Sequence, residues 1–397
     1  MEIEYPEYVK KILNRIENAG FEAFVVGGAV RDALLGRAVN DHDVTTSALP
    51  EQTAEIFSDL HVIMTGLKHG TVTVVVDRHP VEITTYRIDG DYKDSRHPED
   101  VVFARSIDAD LARRDFTVNA MAYSEKRGLV DLFGGKDDLE AGLVRAVGEP
   151  ERRFSEDALR IMRAFRFASK LGFKIEEKTL AAAERCRDGL RNISVERKTA
   201  ELEGIFLGTG VKKALSLMKE AKIFEVIAPE IKLDSTRLDG VCALPCDFAC
   251  RMAFCLVGEE NADAYISSLR LPNAVSAKIR RLVRLAEAPL DAHTDPMLRR
   301  LMARAGAELS CLLEIKKALG ENTAGIEERA QEIEARGDCL DVKSLAVDGR
   351  DLAAMGIRGK DVGDMLDFLL DTVLDSPELN QSRTLLALAE RKKAKKI

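Results

Sequence analysis

The stretch GGAVRDALLGRAVNDHDVTT, residues 27–46, has the most informative local pattern in this chain. Two glycines lead into a short amphipathic helix that Gly36 is expected to end, and a strand beginning DHD follows. Side chains alternate between the two faces of a strand, so Asp41 and Asp43 should project on one side and His42 on the other. Two carboxylates at such a short distance raise each other's pKa. A divalent cation between them removes this repulsion. The pair therefore predicts a Mg²⁺ site.

The two glycines before this helix predict a phosphate site next to the carboxylates. Gly27 and Gly28 lead into a helix N-terminus, where exposed backbone N–H groups and the helix dipole favour phosphate. Arg31, one turn into the helix, adds a fixed positive charge. Each signal alone also fits an ordinary turn beside a solvent-facing Asp-x-Asp, and their convergence favours nucleotide chemistry. Glu82, in the later strand HPVEITTY, is either a third metal-binding acid or an exposed strand residue.

The composition fits a soluble protein of several domains. The 397 residues are 46% hydrophobic and 32% charged, which suits roughly two to four domains. The sequence shows no apolar run long enough to span a membrane and no signal-like N-terminus, so a cytoplasmic location without membrane attachment is expected. Four of the seven cysteines have helical spacing without a CxxC pair, which predicts packed, reduced thiols rather than a zinc site.

The net charge of −8 hides a basic segment. An acidic chain argues, at first, against a nucleic-acid partner. Between residues 151 and 198, however, 13 Lys and Arg stand against 8 Asp and Glu, and the chain ends RKKAKKI. This distribution is compatible with RNA binding, whatever the average charge.

The pattern of hydrophobic residues changes near residue 147. Before it, strand and helix patterns alternate, which predicts an α+β head built on a small mixed sheet. After it, 3.6-residue periodicity continues to the C-terminus without a convincing strand, which predicts an all-helical remainder. The expected parts are residues 1–147, 148–206, 207–337 and 338–397. SEDALRIMRAFRFASKLG should form one helix capped by Ser155, and residues 89–100 should form a polar, mobile loop.

Two arginine-rich segments supply the remaining candidate ligands. In LARRDFTVNAMAY, residues 111–123, Asp115 is expected to cap a helix and Arg114 to reach a triphosphate or ribose. Arg113 and Arg114 are consecutive and point in different directions, so one of them should face the site.

In SEDALRIMRAFRF, Asp157 and Arg160 are expected on one ridge of a helix, which Arg163 and Arg166 continue. A surface ion pair would also explain the first two residues. A carboxylate only accepts hydrogen bonds and a guanidinium only donates them. Cytosine and adenine each offer an amino donor beside a ring-nitrogen acceptor, whereas guanine and uracil offer the reverse pattern. An Asp–Arg pair therefore matches C and A.

These motifs, in this order, resemble those of the class II CCA-adding tRNA nucleotidyltransferases, a family that includes bacterial poly(A) polymerases. The resemblance covers residues 21–206, from VVGGAVRDALLGR and DHDVTT through HGTVTVV, VEITTYR and EDALRIMRAFRF to ISVERKTAE. The distal VDGRDLAAMGIRGKDVGDMLDFLLDTVL is similar, more loosely, to the family's helical tail. The resemblance implies a seahorse-shaped nucleotidyltransferase whose head, neck, body and tail correspond to the four parts above, with the tail binding tRNA.

The resemblance also implies template-independent addition of CCA to the 3′ end of tRNA from CTP and ATP, with release of pyrophosphate. It implies Mg²⁺ on the catalytic Asp41 and Asp43. The implied nucleotide-binding residues are Gly27, Gly28, Arg31, Arg114, Asp157, Arg160, Arg163 and Arg166. Poly(A) synthesis and the addition of only CC or only A are the alternatives. A non-catalytic tRNA-binding protein is disfavoured because both aspartates are present. The sequence is compatible with a monomer or a homodimer.

Overall fold

The computed structural model describes residues 3–39, 41–67, 70–89, 101–229 and 235–394. The chain divides into two compact units, Met1–Pro229 and Glu230–Ile397. The four-part division expected from the sequence is finer than this and stays a prediction. Of the polar loop predicted at residues 89–100, all but the first residue lies outside the described residues.

The first unit contains eleven helices and eleven strands within its described residues. In chain order they are α1 (Glu7–Asn18), β1 (Ala23–Val26), α2 (Gly28–Leu34), β2 (Val44–Thr46), α3 (Pro50–Ile56), β3 (His61–Ile63), β4 (Thr71–Val76), β5 (His79–Thr85), β6 (Arg87–Asp89), β7 (Val101–Phe103), α4 (Ile107–Ala112), β8 (Met121–Ser124), β9 (Gly128–Asp131), α5 (Gly135–Glu140), β10 (Leu143–Val144), α6 (Pro150–Glu156), α7 (Leu159–Leu171), β11 (Lys174–Ile175), α8 (Glu177–Cys186), α9 (Val195–Phe206), α10 (Val211–Glu220) and α11 (Phe224–Ile227). The α+β head and the helical segments after it are confirmed.

A seven-stranded mixed sheet forms the centre of the head, with the strand order β3-β4-β5-β2-β1-β8-β9. The strands β2 and β5 pair in parallel, and the other neighbours are antiparallel. All four residues of β1 are buried, whereas burial alternates along β4, as expected for a central strand and a strand with one solvated face. The parallel register pairs Val44 with Ile83. Asp43 and Glu82, each one residue earlier, therefore lie at neighbouring positions.

Two expectations for the segment after residue 147 were wrong. The helix expected to start at Ser155 is two helices, because Asp157 adopts an extended conformation (φ −143°, ψ 104°) between α6 and α7. The Asp157 Oδ1 accepts a hydrogen bond from the Leu159 N–H at 3.0 Å, a local bond that competes with helix continuation. Ser155 lies inside α6 and donates its hydroxyl to the Glu151 carbonyl. A short strand also exists there, since β11 pairs in parallel with β10.

The second unit is helical throughout its described residues. Its helices are α12 (Ser235–Ala243), α13 (Phe248–Leu256), α14 (Ala262–Ser268), α15 (Asn273–Glu287), α16 (Asp295–Ala305), α17 (Leu309–Ala318), α18 (Ile326–Ala335), α19 (Gly349–Ala354), α20 (Lys360–Asp375) and α21 (Ser382–Ala394), joined in places by short 3₁₀ turns. Leu352, Leu369, Val373 and Leu385 form a buried apolar core between its last three helices. Among the described residues, no helix has the length and apolar character needed to cross a membrane.

Candidate active site

The glycine turn before α2 is shaped by a neighbouring arginine. Gly27 has φ +68°, which favours glycine, and its N–H donates to the Met121 carbonyl at 3.1 Å. A Cβ at Gly27 would lie 3.0 Å from Nη1 of Arg114, and one at Gly28 would lie 3.6 Å from Nη2 of Arg31. The turn therefore lets two guanidinium groups approach the backbone closely, and both belong to the set expected to bind nucleotide.

The carboxylate pair has the alternation expected from the sequence. Asp41 and Asp43 are exposed, whereas His42 between them is buried and lies 3.3 Å from the Tyr8 hydroxyl. Although Asp43 is exposed as a residue, the protein around its carboxylate excludes enough water to disfavour the charged form. This burial, followed by the charges of Asp41 and Glu82, raises the pKa of Asp43 to about 6, against the opposing charge of Arg114.

The like charges around Asp43 fit a divalent cation, because carboxylate oxygens are ligands that Mg²⁺ prefers. Glu82 adds to this negative charge, and its neighbouring register position agrees with its role in raising the Asp43 pKa. Within the described residues, however, no three His, Cys, Asp or Glu side chains come together closely enough to hold a metal. The assignment of the metal to Asp41 and Asp43 therefore stays a prediction.

Three arginines converge on one phenylalanine beside the glycine turn. The guanidinium carbons of Arg31, Arg163 and Arg166 lie 5.3, 5.4 and 4.4 Å from the centre of the Phe167 ring. These distances are within the range of cation–π attraction. Phe167 is itself buried and packs edge-to-face on Phe116, with ring centres 5.7 Å apart. The Phe167 ring therefore holds together a cluster of positive charge whose arginines come from α2 and α7.

Buried polar partners hold these arginines in place. Arg163 pairs with Asp115 at 2.6 Å, and Arg31 donates to the Asn119 Oδ1 at 2.6 Å. Asn119 in turn donates to Asp115 at 3.3 Å, so one network joins α2 to α7. Burial alone would raise the pKa of Asp115, but Arg163 holds it below its ordinary value. The expectation that Asp115 caps a helix was wrong, because its carboxylate accepts from Arg163 and from the Phe116 N–H.

Arg114 faces the site and Arg113 lies elsewhere, as the sequence predicts for two consecutive side chains. Both donate to Asp110, which is completely buried. Arg113 lines a separate cavity of about 530 Å³ together with Phe133 and Arg153. The Nε of Arg114 is buried and finds no hydrogen-bond partner in the described part of the chain. An unpaired buried donor is costly, about 1–3 kcal/mol, which suits a side chain that binds a ligand.

Asp157 and Arg160 are not paired with each other in this structure. Asp157 pairs with Arg197 of α9 at 2.8 Å, and Arg160 pairs with Glu156 at 2.7 Å. Arg160 also donates to the carbonyl oxygens of Arg153 and Arg113. The expectation of one continuous helix ridge was wrong because the chain breaks at Asp157. Each of the two side chains instead has its own counter-ion, which fixes its position independently.

Sequence reasoning missed several partners of the predicted site residues, among them Asp110, Asn119, Arg197 and Glu201. Asp110 precedes Arg113 and Arg114 by three and four residues, a helical spacing that could have identified it. Asn119 lies 88 residues from Arg31, Arg197 lies 40 from Asp157 and Glu201 lies 35 from Arg166, which it contacts at 2.5 Å. No local spacing reveals contacts over such distances.

Comparison with known proteins agrees with this arrangement. Residues 23–145 match the family described as "Poly A polymerase head domain", and residues 172–234 match "Probable RNA and SrmB- binding site of polymerase A". A CCA-adding enzyme of Limosilactobacillus fermentum is 35% identical over 96% of both chains, and one of Pediococcus pentosaceus is 37% identical over 96% of both.

A solved structure is similar over the full length. The crystal structure of the Bacillus stearothermophilus CCA-adding enzyme in complex with CTP shares 32% identity, covers 99% of each chain and has a TM-score of 0.83. With this identity over nearly the whole length of its relatives, the chain belongs to the family of CCA-adding tRNA nucleotidyltransferases.

Proposed function

We propose that this protein adds C, C and A to the 3′ end of tRNA from CTP and ATP, releasing pyrophosphate at each step. The observation that best supports this is the continuity of the site. Arg114 lies against the Gly27 turn and acts electrostatically on Asp43. The carboxylates, the glycine turn and the arginine cluster around Phe167 therefore form one contiguous surface in the first unit. A cytoplasmic location is part of the same proposal.

The carboxylates of Asp41 and Asp43 are the proposed holders of a divalent metal, with Mg²⁺ as the proposed ion. A metal held there would supply Lewis-acid chemistry that lowers the pKa of the attacking tRNA hydroxyl and stabilises charge on the leaving pyrophosphate. Arg31 and Arg114 are the proposed triphosphate ligands, because their guanidinium groups lie against the glycine turn. Arg163 and Arg166 extend this positive surface along α7. Guanidinium groups suit phosphate through their paired N–H donors.

Asp157 and Arg160 are the proposed base-reading pair. Asp157 uses its two oxygens toward Leu159 and Arg197, and a carboxylate accepts about four hydrogen bonds, so it has capacity for an amino group. Arg160 makes three hydrogen bonds to described residues, out of its five N–H donors. An acceptor from Asp157 and a donor from Arg160, presented together to one base, would match the edges of cytosine and adenine and mismatch those of guanine and uracil.

The test is product sizing on a tRNA that lacks CCA, with CTP and ATP supplied separately and together. Full activity gives two additions with CTP alone and three with both nucleotides. A long ladder with ATP indicates a poly(A) polymerase, and a stop after CC indicates a partial enzyme. Asp41→Ala and Asp43→Ala should abolish incorporation yet retain tRNA binding by gel shift. Incorporation at the unmodified rate by either variant contradicts the assigned roles.

Base selection is tested with Asp157→Ala and all four nucleoside triphosphates. Losing the acceptor should relax discrimination against UTP and GTP by roughly ten- to hundredfold, since each unpaired polar edge costs about 1–3 kcal/mol. Asp188→Ala is the matched control, because Asp188 also precedes an arginine by three residues, Arg191, but is exposed. Unchanged selectivity in Asp157→Ala, with selectivity also unchanged in the control, contradicts the base-reading role.

A further inference from the structure

Two cysteines of the second unit are in direct contact, and they lie on different helices. Cys250, on α13, is completely buried, whereas Cys311, on α17, is half-buried. The Cys250 thiol donates to the Cys311 carbonyl oxygen at 3.7 Å, which brings the two cysteines together. Because α13 and α17 pack against each other, the contact joins two segments 61 residues apart in the chain.

Exposure distinguishes the two thiols, because Cys311 is half-buried and Cys250 is completely buried. The adjacent Cys250 side chain lowers the pKa of Cys311, and Lys278 acts in the same direction, while burial, Asp247 and Glu308 oppose it. The Cys311 side chain, together with burial, raises the pKa of Cys250. Lys278 is held at the pair by ion pairs of 3.0 Å with both Asp247 and Glu308. A partly accessible thiol with a lowered pKa beside a buried thiol is typical of an attacking and a resolving cysteine.

We propose that Cys250 and Cys311 form a peroxide-reactive dithiol that closes to an intrachain disulfide. The Cys311 sulfur attacks one oxygen of hydrogen peroxide, the O–O bond breaks, and the leaving hydroxide takes up a proton to become water. The Cys250 sulfur then attacks the sulfur of the Cys311 sulfenic acid, the S–O bond breaks, and the Cys250 proton leaves with hydroxide as a second water. The two sulfurs lose two electrons, which reduce one peroxide. A small dithiol reduces the disulfide again by thiol–disulfide exchange.

The other cysteines provide internal controls. Cys255 lies on the same helix α13 and is completely buried, and burial raises its pKa to about 12. Cys339 is buried as well, and burial raises its pKa. Both should stay reduced under peroxide that oxidises the pair. Cys242 and Cys246 are exposed and would react without any special environment, so the test replaces both by serine.

The experiment uses the full-length Cys242→Ser/Cys246→Ser protein, which keeps five of the seven cysteines. After a small molar excess of hydrogen peroxide, thiol titration in denaturant should fall from five thiols to three. Peptide mass mapping should find a link between Cys250 and Cys311, and dithiothreitol should restore all five thiols. The same mapping on the unmodified chain does not depend on any variant folding. Five remaining thiols, or a link between other cysteines, overturns the proposal.

Single variants test the two roles. In Cys250→Ser, Cys311 should be trapped by dimedone as a sulfenic acid, because its resolving partner is gone. In Cys311→Ser, Cys250 should stay reduced, because it is buried and its pKa is raised. Cys255→Ser, the matched control on α13, should keep the full disulfide response. A disulfide at Cys250 in the Cys311→Ser protein, or loss of the response in Cys255→Ser, contradicts the assignment.

Discussion

Replacing Asp43 by asparagine is expected to stabilise the protein while it destroys the proposed nucleotide chemistry. Burial, Asp41 and Glu82 raise the pKa of Asp43 from 3.8 to about 6. The folded chain therefore favours the protonated carboxyl more than the unfolded chain does. The resulting stability is fully present below pH 3.8 and is lost as the pH rises through about 6. Above that pH the ionised carboxylate opposes folding, and asparagine removes its charge.

The size of the gain follows from the pKa shift and the exposure. A shift of about two pKa units corresponds to about 3 kcal/mol between the two protonation states. Asp43 is exposed as a residue, so solvent screening reduces this, and we expect about 1 kcal/mol at pH 7.5. For a unit the size of Met1–Pro229, that free energy raises the midpoint of thermal unfolding by about 2–4 °C.

The assay is thermal unfolding of both proteins in metal-free buffer from pH 7.5 down to pH 4.5. The advantage of Asp43→Asn should shrink steadily as the pH falls, since the native carboxyl then becomes protonated. Added Mg²⁺ should raise the midpoint of the unmodified protein and leave that of the variant unchanged. Glu55→Gln, which changes an exposed acid on α3, is the control and should show no such pH-dependent gain. An equal or lower midpoint for Asp43→Asn at pH 7.5 refutes the reasoning.

Three further results are expected. Gly27→Ala should destabilise the protein by about 1–2 kcal/mol because of its positive φ, and should raise the KM for nucleotide because the new Cβ meets Arg114; an unchanged KM counts against this contact. Asp115→Asn should cost about 3 kcal/mol at pH 7 by leaving Arg163 without its buried carboxylate. That difference should vanish as the pH falls through the lowered pKa of Asp115, which denaturant titrations at several pH values would measure. The Kd for tRNA should rise steeply with salt, about a thousandfold between 50 and 200 mM if roughly six phosphates are contacted; a salt-independent Kd contradicts a phosphate-led interface.

The sequence was most informative where function depends on local geometry. The alternating exposure of Asp41, His42 and Asp43 was expected from strand pleating and is present, although β2 itself begins only at Val44. The glycine turn follows from the residues themselves. Partners at long range could not be obtained in this way, because Arg197 and Glu201 reach Asp157 and Arg166 only after α9 packs against α7. Local propensity was also misleading after residue 154, since SEDALRIMRAF has full helical periodicity.

The helix break at Asp157 shows why that periodicity failed. An aspartate can satisfy the first N–H groups of a following helix with its own side chain, so it begins a helix as readily as it continues one. Here Asp157 accepts from the Leu159 N–H and at the same time pairs with Arg197, contacts that an unbroken helix would not combine. The sequence of α7 alone contains no sign of Arg197, and the tertiary ion pair adds to the local preference for a break.

The separate counter-ions of Asp157 and Arg160 have a consequence for the proposed base selection. Arg197 and Glu156 hold the acceptor and the donor in fixed positions before any base is present. If Asp157 and Arg160 read the base as proposed, their preformed pattern would reject guanine and uracil, because those edges would leave polar groups unpaired. It presents the same pattern to cytosine and to adenine, however, so these two side chains cannot choose between them. The order C, C, A must then depend on something that changes between additions, and in the proposed reaction the growing tRNA 3′ end is the component that does.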